Sequence, residues 1–352
     1  VTKCYLLGAG ASLGNNPSKP DNLSPPSSYE FFTKGRKYQI LPSDDFPDLC
    51  NAIQKHIGTN QPIESLSESA LEIEIENFLG DLAERHESKR DKKAQAALSQ
   101  SYYFIYELLR TCSSFHYPEL ERDFYQELAK EFKRNRYSII SLNYDNLLEN
   151  SMLAEGLGCN YGFKRMTNDG RNVPIAKVHG SINWFNYLTK NIAFGKSGDF
   201  IDVIRSVHGT IVTNNFSDGE RQSLRVKPPS ELQEIPYREL AKARDELYEP
   251  ALVPPISSYK IYNKNSDYKN AWNFASSMLE HASELVVIGS SVRSQDDKLC
   301  SIIEDGVSSN IDVTLAVGES TLDVKERLTD LIGNPQFTEY RYFSDYVKNE
   351  LH

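Results

Sequence analysis

YSIISLNYDNLLEN, residues 137–150, opens as a buried strand and stops at an Asn, a Tyr and an Asp. Ile139 and Ile140 suit any core strand, and the LLEN that follows is helix-forming. Asn143 and Asp145 fall at the junction, with Glu149 one helical turn on. In an open α/β sheet the carboxyl ends of strands are where ligands sit. The plainer reading is capping, because an Asn or Asp ahead of Leu147 and Leu148 accepts a hydrogen bond from the first turn. One residue suffices for a cap, so two leave one over for other work.

The runs KCYLL (3–7), PIAKV (174–178), ELVVI (284–288) and DVTLAV (312–317) share the near-continuous apolar character of YSIIS (137–141). Strands covered on both faces have this character, and they belong to parallel sheets. FTEYRYF (337–343) alternates and reads as an edge strand. Helical patterns lie at 123–135, 268–282 and 322–333, the last closed by Gly333. This alternation predicts an α/β fold with a doubly wound, mostly parallel Rossmann-like sheet. The Leu71, Ile75, Phe78, Leu82 spacing and the Tyr102, Ile105, Leu108, Leu109 spacing are helical. The expected organisation is a Rossmann-like domain from 1–59, 131–184 and 251–352, a helical insertion at 60–130, and a loop-rich insertion at 185–250. The charge run at 87–93 reads as a solvated helix end or loop.

The formal net charge of −10 gives no global field to attract nucleic acid, so none is expected as a direct partner. No apolar run reaches the length of a membrane span. The opening VTKCYLLGAGAS runs its apolar stretch straight into glycines, unlike a signal peptide, and the expected location is the cytoplasm. The five cysteines are scattered and form no CxxC pair, which argues against a zinc staple.

Chemistry-bearing residues recur where the strands end. Gly8-Ala9-Gly10-Ala11-Ser12 follows the first strand, and glycines there let backbone N–H groups approach a phosphate. The dehydrogenase fingerprint is not met. Its third glycine, Gly14, comes one place late, a Pro-rich loop is expected in place of a helix, and no acidic residue ends a second strand about 20 positions on. A tight turn explains the glycines nearly as well. His179 follows PIAKV and precedes Gly180-Ser181, at the site-forming edge. PALVPPISSYK (250–260) carries two prolines that fix an extended loop and a Lys260 able to meet a phosphate. ELVVI runs into Gly289-Ser290-Ser291, followed by Asp296 and Asp297, which suits a ribose or phosphate or a plain capped βα loop.

Taken in order, GAGAS, SLNYD, KVHGS, VPP…K and VIGSS resemble the sirtuin-like family, and in particular its zinc-less branch of NAD-degrading effectors in prokaryotic anti-phage defence (Thoeris-type and related systems). The resemblance covers the sheet-forming parts and leaves both insertions unmatched. It implies that Gly8, Ala9, Gly10 and Ser12 hold the NAD diphosphate and ribose. It places Asn143 beside the nicotinamide ribose with Asp145 in the same motif, makes His179 the catalytic histidine, and puts Gly289 and Ser290 at the adenosine end. Two departures stand out. The paired zinc cysteines of the deacetylases are missing, and their Pro-Asp-Phe-Arg-like element is replaced by Pro25-Pro26-Ser27-Ser28-Tyr29-Glu30-Phe31. The implied activity is therefore NAD hydrolysis at the nicotinamide–ribose bond, with NAD as substrate and no zinc. Protein deacylation and non-catalytic NAD or ADP-ribose sensing are the competing readings. The family also implies control by homo-oligomerisation or by a partner such as an ATPase.

Overall fold

The computed structural model describes residues 2–15, 24–42, 44–114, 123–135, 137–163, 172–189, 224–232, 235–240, 246–253 and 266–351. The strands are β1 (Lys3–Leu7), β2 (Ser138–Ser141), β3 (Gly158–Asn160), β4 (Asn172–Lys177), β5 (Gly180–Thr189), β6 (Arg225–Val226), β7 (Glu246–Leu252), β8 (Glu284–Ile288), β9 (Asp312–Ala316) and β10 (Gln336–Tyr340). The chain divides into two compact units, one of 1–25, 115–180 and 262–352, the other of 26–114 and 181–261. This division differs from the organisation read from sequence. Residues 26–59 join the second unit together with 60–114 of the helical insertion and all of the loop-rich insertion, while 115–130 of the helical insertion join the first.

The first unit holds a seven-stranded sheet in the order β10-β9-β8-β1-β2-β4-β3, and every pairing is parallel. The chain leaves β1 toward β2 on one side and later returns to β8 on the other, so the topological switch lies between β1 and β8. The fold is α/β, doubly wound and Rossmann-like. All four residues of β2 are buried, and so are four of the five in each of β1, β8 and β9, as double-faced coverage requires.

The register across this sheet places the loops. Leu7 pairs with Ser141 and with Ile288, Ser141 with Lys177, Ile288 with Ala316, and Ala316 with Tyr340. One row of residues therefore ends six strands at a common level. Leu142 N–H donates to Leu7 O at 2.9 Å, Gly8 N–H to Ile288 O at 3.0 Å, and Gly289 N–H to Ala316 O at 3.0 Å, which carries the ladder one residue past that row.

Helices Phe124–Arg134, Ser266–Glu280 and Thr321–Ile332 form where the apolar spacing predicts them. Gly333 ends the last at φ 101°, a conformation in which a Cβ is costly. Tyr5 on β1 meets Phe132 edge-on, with centroids 5.2 Å apart, and its hydroxyl lies 2.9 Å from that of Tyr346. FTEYRYF contributes β10, an edge strand. Two expectations are corrected. A five-residue helix, Ala9–Leu13, follows the glycine loop directly. Leu71 is not continuous with the Ile75–Lys89 helix but closes a separate turn at Glu68–Leu71.

The second unit centres on the helix Lys92–Ser114, whose Phe104 stacks on Phe32 at 5.7 Å and meets Phe46 at 6.5 Å. The charge run at 87–93 spans the turn where Arg90, at φ 51°, ends the preceding helix. β5, β6 and β7 form a three-stranded sheet with β5 central. Most of the loop-rich insertion, and Pro254, Pro255 and Lys260, lie outside the described residues.

Glu249 on β7 is 2% exposed and accepts from the Ser99 hydroxyl at 3.1 Å. Burial raises its carboxyl from 4.5 to about 7, against the hydrogen bonds of Ser99 and Asn186. A carboxyl raised in the folded state binds its proton more tightly there than in the unfolded chain. The stability it lends is full below 4.5 and is lost as pH climbs to about 7. Glu249→Gln is expected to flatten this slope and to gain on the order of 1–3 kcal/mol over the native chain at pH 8 relative to pH 4.5. Unfolding midpoints measured across that range check this, and parallel pH profiles for the two proteins contradict it.

Candidate functional site

Every chemistry-bearing loop of the first unit leaves the sheet from the common register row. Asn143 and His179 stand two residues past Ser141 and Lys177, which are register partners on neighbouring strands. Both residues therefore lie just beyond the ends of neighbouring strands that stop at the same level.

Asn143 is 8% exposed. Its Nδ2 donates to Gly8 O at 2.9 Å and to Ser12 Oγ at 3.0 Å, while its backbone N–H donates to Ser141 Oγ at 3.2 Å. A carbonyl can only accept, so Gly8 O fixes which end of the amide faces it. Oδ1 is directed the other way and accepts from no donor among the described residues. Ser12 Oγ also lies 2.9 Å from the Tyr125 hydroxyl. Burial, and then the charge of Asp145, push that hydroxyl well above its ordinary range, so Tyr125 stays neutral. Asp145 does what a cap does, accepting the Leu147 N–H at Oδ1, 3.0 Å away.

Lys177, the last residue of β4, is 1% exposed and reaches Glu149 Oε1 at 2.8 Å and the Asp145 carbonyl. Burial raises the Glu149 carboxyl and the Lys177 ammonium opposes the rise. A buried pair of this kind contributes little net stability, yet losing one partner costs about 3–5 kcal/mol. Its structural effect is to tie the start of the Leu147–Ala154 helix to β4.

His179 is 3% exposed, in the turn between β4 and β5, and Gly180 beside it takes φ 87°. Its Nε2 lies 2.8 Å from Asp296 Oδ2, and its ring centroid 6.1 Å from that of Trp272. Asp296 also accepts the Leu299 N–H at 3.1 Å, which caps the helix Asp297–Gly306. Burial works to raise the Asp296 carboxyl. The charge and hydrogen bond of His179, helped by the Leu299 N–H and Lys298, outweigh burial and hold it below its ordinary value. In the neutral ring, Nε2–H donating to Asp296 makes Nδ1 the basic nitrogen.

The glycine loops meet each other. Gly10 N–H donates to Gly289 O at 2.9 Å. A Cβ on Gly8 would lie 2.6 Å from Gly289 O, one on Gly10 2.9 Å from Gly289 Cα, and one on Gly289 2.0 Å from the Ala11 nitrogen. This approach at the switch between β1 and β8 accounts for all three glycines. Ala9 and Gly10 are exposed at the start of the Ala9–Leu13 helix, and Ser290, 4% exposed, accepts the Val292 N–H at 3.2 Å.

The structure thus joins Asn143 to Gly8 and Ser12, and His179 to Asp296. Sequence reasoning missed Tyr125 and Lys177 and did not assign Asp296 to His179. Nothing local marks such pairings across 117 residues. Among the described residues no cluster of three or more His, Cys, Asp or Glu is arranged to hold a metal ion, and no helix is long and apolar enough to cross a membrane.

No family model matches the chain, and no curated protein matches it. Among the solved structures that align with the chain are two that cover most of its length. One, concerned with the structural basis of sirtuin substrate affinity, covers 99% of this chain and 90% of its own at 16% identity and TM-score 0.36. The other, concerned with the mechanism and regulation of Sir2 enzymes, covers 94% and 91% at 12% identity and TM-score 0.34. Likenesses this weak carry no argument about the site, which stands on its own geometry.

Gly289→Ala adds a steric clash to a left-handed backbone at φ 62°, whereas Gly156→Ala at φ 74° meets nothing within 4 Å. The second is expected to cost about 1 kcal/mol and the first about 3 kcal/mol or more. Urea unfolding of both variants measures the difference, and equal costs contradict the close loop contact.

Proposed function

We propose that this chain hydrolyses NAD+ at the nicotinamide–ribose bond, giving nicotinamide and ADP-ribose. The observation that carries the reading is an oriented amide and a carboxylate-backed histidine, each two residues beyond the end of one of two neighbouring strands.

The chemistry asks for little else. When the glycosidic bond breaks, its electron pair returns to the pyridinium nitrogen and nicotinamide leaves neutral, so no general acid is required. Positive charge grows on the ribose, and an oxygen dipole aimed at it stabilises the transition state. Asn143 Oδ1, turned away from Gly8, supplies such a dipole. The water oxygen bonds to the ribose C1′, and His179 accepts the proton that water loses. Proton removal by a positioned base is typically worth about 100- to 10,000-fold, and Asp296 holds the imidazole and favours the imidazolium that results. Beside Asp145, the Asn146 amide is 1% exposed with neither side-chain atom hydrogen-bonded. A primary carboxamide offers the donor and acceptor that it lacks. Ala9 and Gly10 give an exposed backbone stretch for the diphosphate, with Ser290 on the adjoining loop for the adenosine end.

One observation favours a binding-only role: the Asn143 nitrogen is already engaged with Gly8 and Ser12. We attach to the catalytic reading a cytoplasmic defence role controlled by assembly, as a homo-oligomer or with a partner ATPase, because unchecked NAD+ loss harms the cell that makes the enzyme.

Incubation of the pure chain with NAD+, followed by chromatography, is expected to show nicotinamide and ADP-ribose accumulating together. Asn143→Ala and His179→Ala are expected to lower the rate by about 100-fold or more in chains that still fold, with unfolding midpoints lowered by the buried partners left unsatisfied. Full turnover in both variants removes the mechanism, and ADP-ribose binding without any turnover by the native chain favours the binding-only role.

A further inference from the structure

Val292 occupies a backbone conformation that β-branched residues avoid, with φ 43° and only 1% exposure. Strained backbone persists only where the surroundings over-determine it. Here the fixing groups are visible. Arg327, on the helix Thr321–Ile332, donates Nη1 to Ser291 O at 2.9 Å and to Val292 O at 2.5 Å. Ser290 Oγ accepts the Val292 N–H at 3.2 Å. Three residues separate Val292 from Asp296, and within them the Asp296 N–H folds back onto Arg293 O at 3.1 Å. Cys300 Sγ holds the same carbonyl at 3.5 Å. A shift at Val292 therefore has little slack in which to dissipate before it reaches the carboxylate that grips His179.

We propose that Arg327 is a positioning residue for His179: it pins the strained Ser291–Val292 turn and so sets the place from which Asp296 meets the imidazole. This rests on reading His179 as the proton acceptor. Arg327 touches neither substrate nor reacting atoms, and its effect passes through two carbonyls and a short tether. The strain gives the arrangement a direction. Without Arg327 the turn relaxes toward φ below zero, and the Asp296 carboxylate moves with it. Among the described residues Asp296 pairs with the imidazole, Lys298 on the following helix acts on Asp296, and Lys269 on the helix that carries Trp272 acts on Lys298. Lys298 sits 4.8 Å from the Trp272 ring centre, and burial, then Lys269, push its ammonium down while Asp296 opposes the shift. Lys177, two residues before His179, is committed to Glu149.

The test uses the full chain without substrate, histidine-labelled for NMR, with the His179 signal assigned from His179→Gln. The titration midpoint and tautomer are read in the native chain, Asp296→Asn, Arg327→Met, Arg327→Lys, Val292→Gly and the Val292→Gly/Arg327→Met double variant. NAD+ cleavage is followed in parallel. Arg327→Met is expected to shift the His179 midpoint down toward that of Asp296→Asn, and to lower kcat by about tenfold to a hundredfold with KM held within about twofold. Glycine adopts the left-handed turn without strain, so the double variant is expected to recover most of both losses. Arg327→Lys keeps a cation able to reach one carbonyl and falls between the two. An unchanged His179 midpoint and tautomer in both Arg327 variants overturns the proposal, as does a double variant no better than Arg327→Met. The NMR shift without any NAD+ cleavage by the native chain sinks the catalytic reading and leaves the positioning intact. Cleavage without the shift does the reverse.

Discussion

The parallel register that ends β8, β1, β2 and β4 on one row, Ile288, Leu7, Ser141 and Lys177, is the constraint on which the rest depends. Side chains alternate along a strand, so a slip of one residue would turn every inward group outward. Here a slip would also move Asn143 away from Gly8, or His179 away from the level of Asn143. The buried faces of these strands resist such a slip. Tyr5 beneath Phe132 and Tyr346 locks β1, and Lys177 with Glu149 ties β4 to the helix that follows β2. Core packing and site geometry are thus two consequences of one alignment.

The loops beyond that row are held by polar contacts that would be expensive if left unmade. An amide tied to a backbone carbonyl, a hydroxyl relay from Asn143 through Ser12 to Tyr125, and an imidazole on a carboxylate are all nearly buried. Each unsatisfied member would cost about 1–3 kcal/mol. Such networks rigidify when complete. They also explain why the glycines lie where they do: with Gly8, Gly10 and Gly289 the β1 and β8 loops touch backbone to backbone, and any side chain would part them.

Much of the fold was legible in the residues. The continuous apolar runs KCYLL, SIIS and ELVVI announced strands covered on both faces, because parallel sheets leave no solvated face to alternate toward. The short strand GCN at 158–160 carried no such signal, since three half-buried residues at a sheet edge have no pattern to show. The helix after Gly8 was missed because Ala-Gly-Ala-Ser-Leu reads as a loop, and its five residues hold shape through contacts with Gly289, just past β8, and with Tyr125 that no local rule displays. Of the candidate site, Asn143, Asp145 and His179 stood out by their place after strands. Their roles did not. Asp145 serves as a cap, Asn143 as a tie between loops, and the partner of His179 comes from the far side of the chain in sequence.

A crystal structure of the chain soaked with ADP-ribose would test the central claim most directly, that the loops after β1, β2, β4 and β8 surround one ligand. The account predicts density for the distal ribose beside Asn143 and His179, with the diphosphate along Ala9 and Gly10. Density bound elsewhere, or a ligand whose ribose contacts neither Asn143 nor His179, would contradict it.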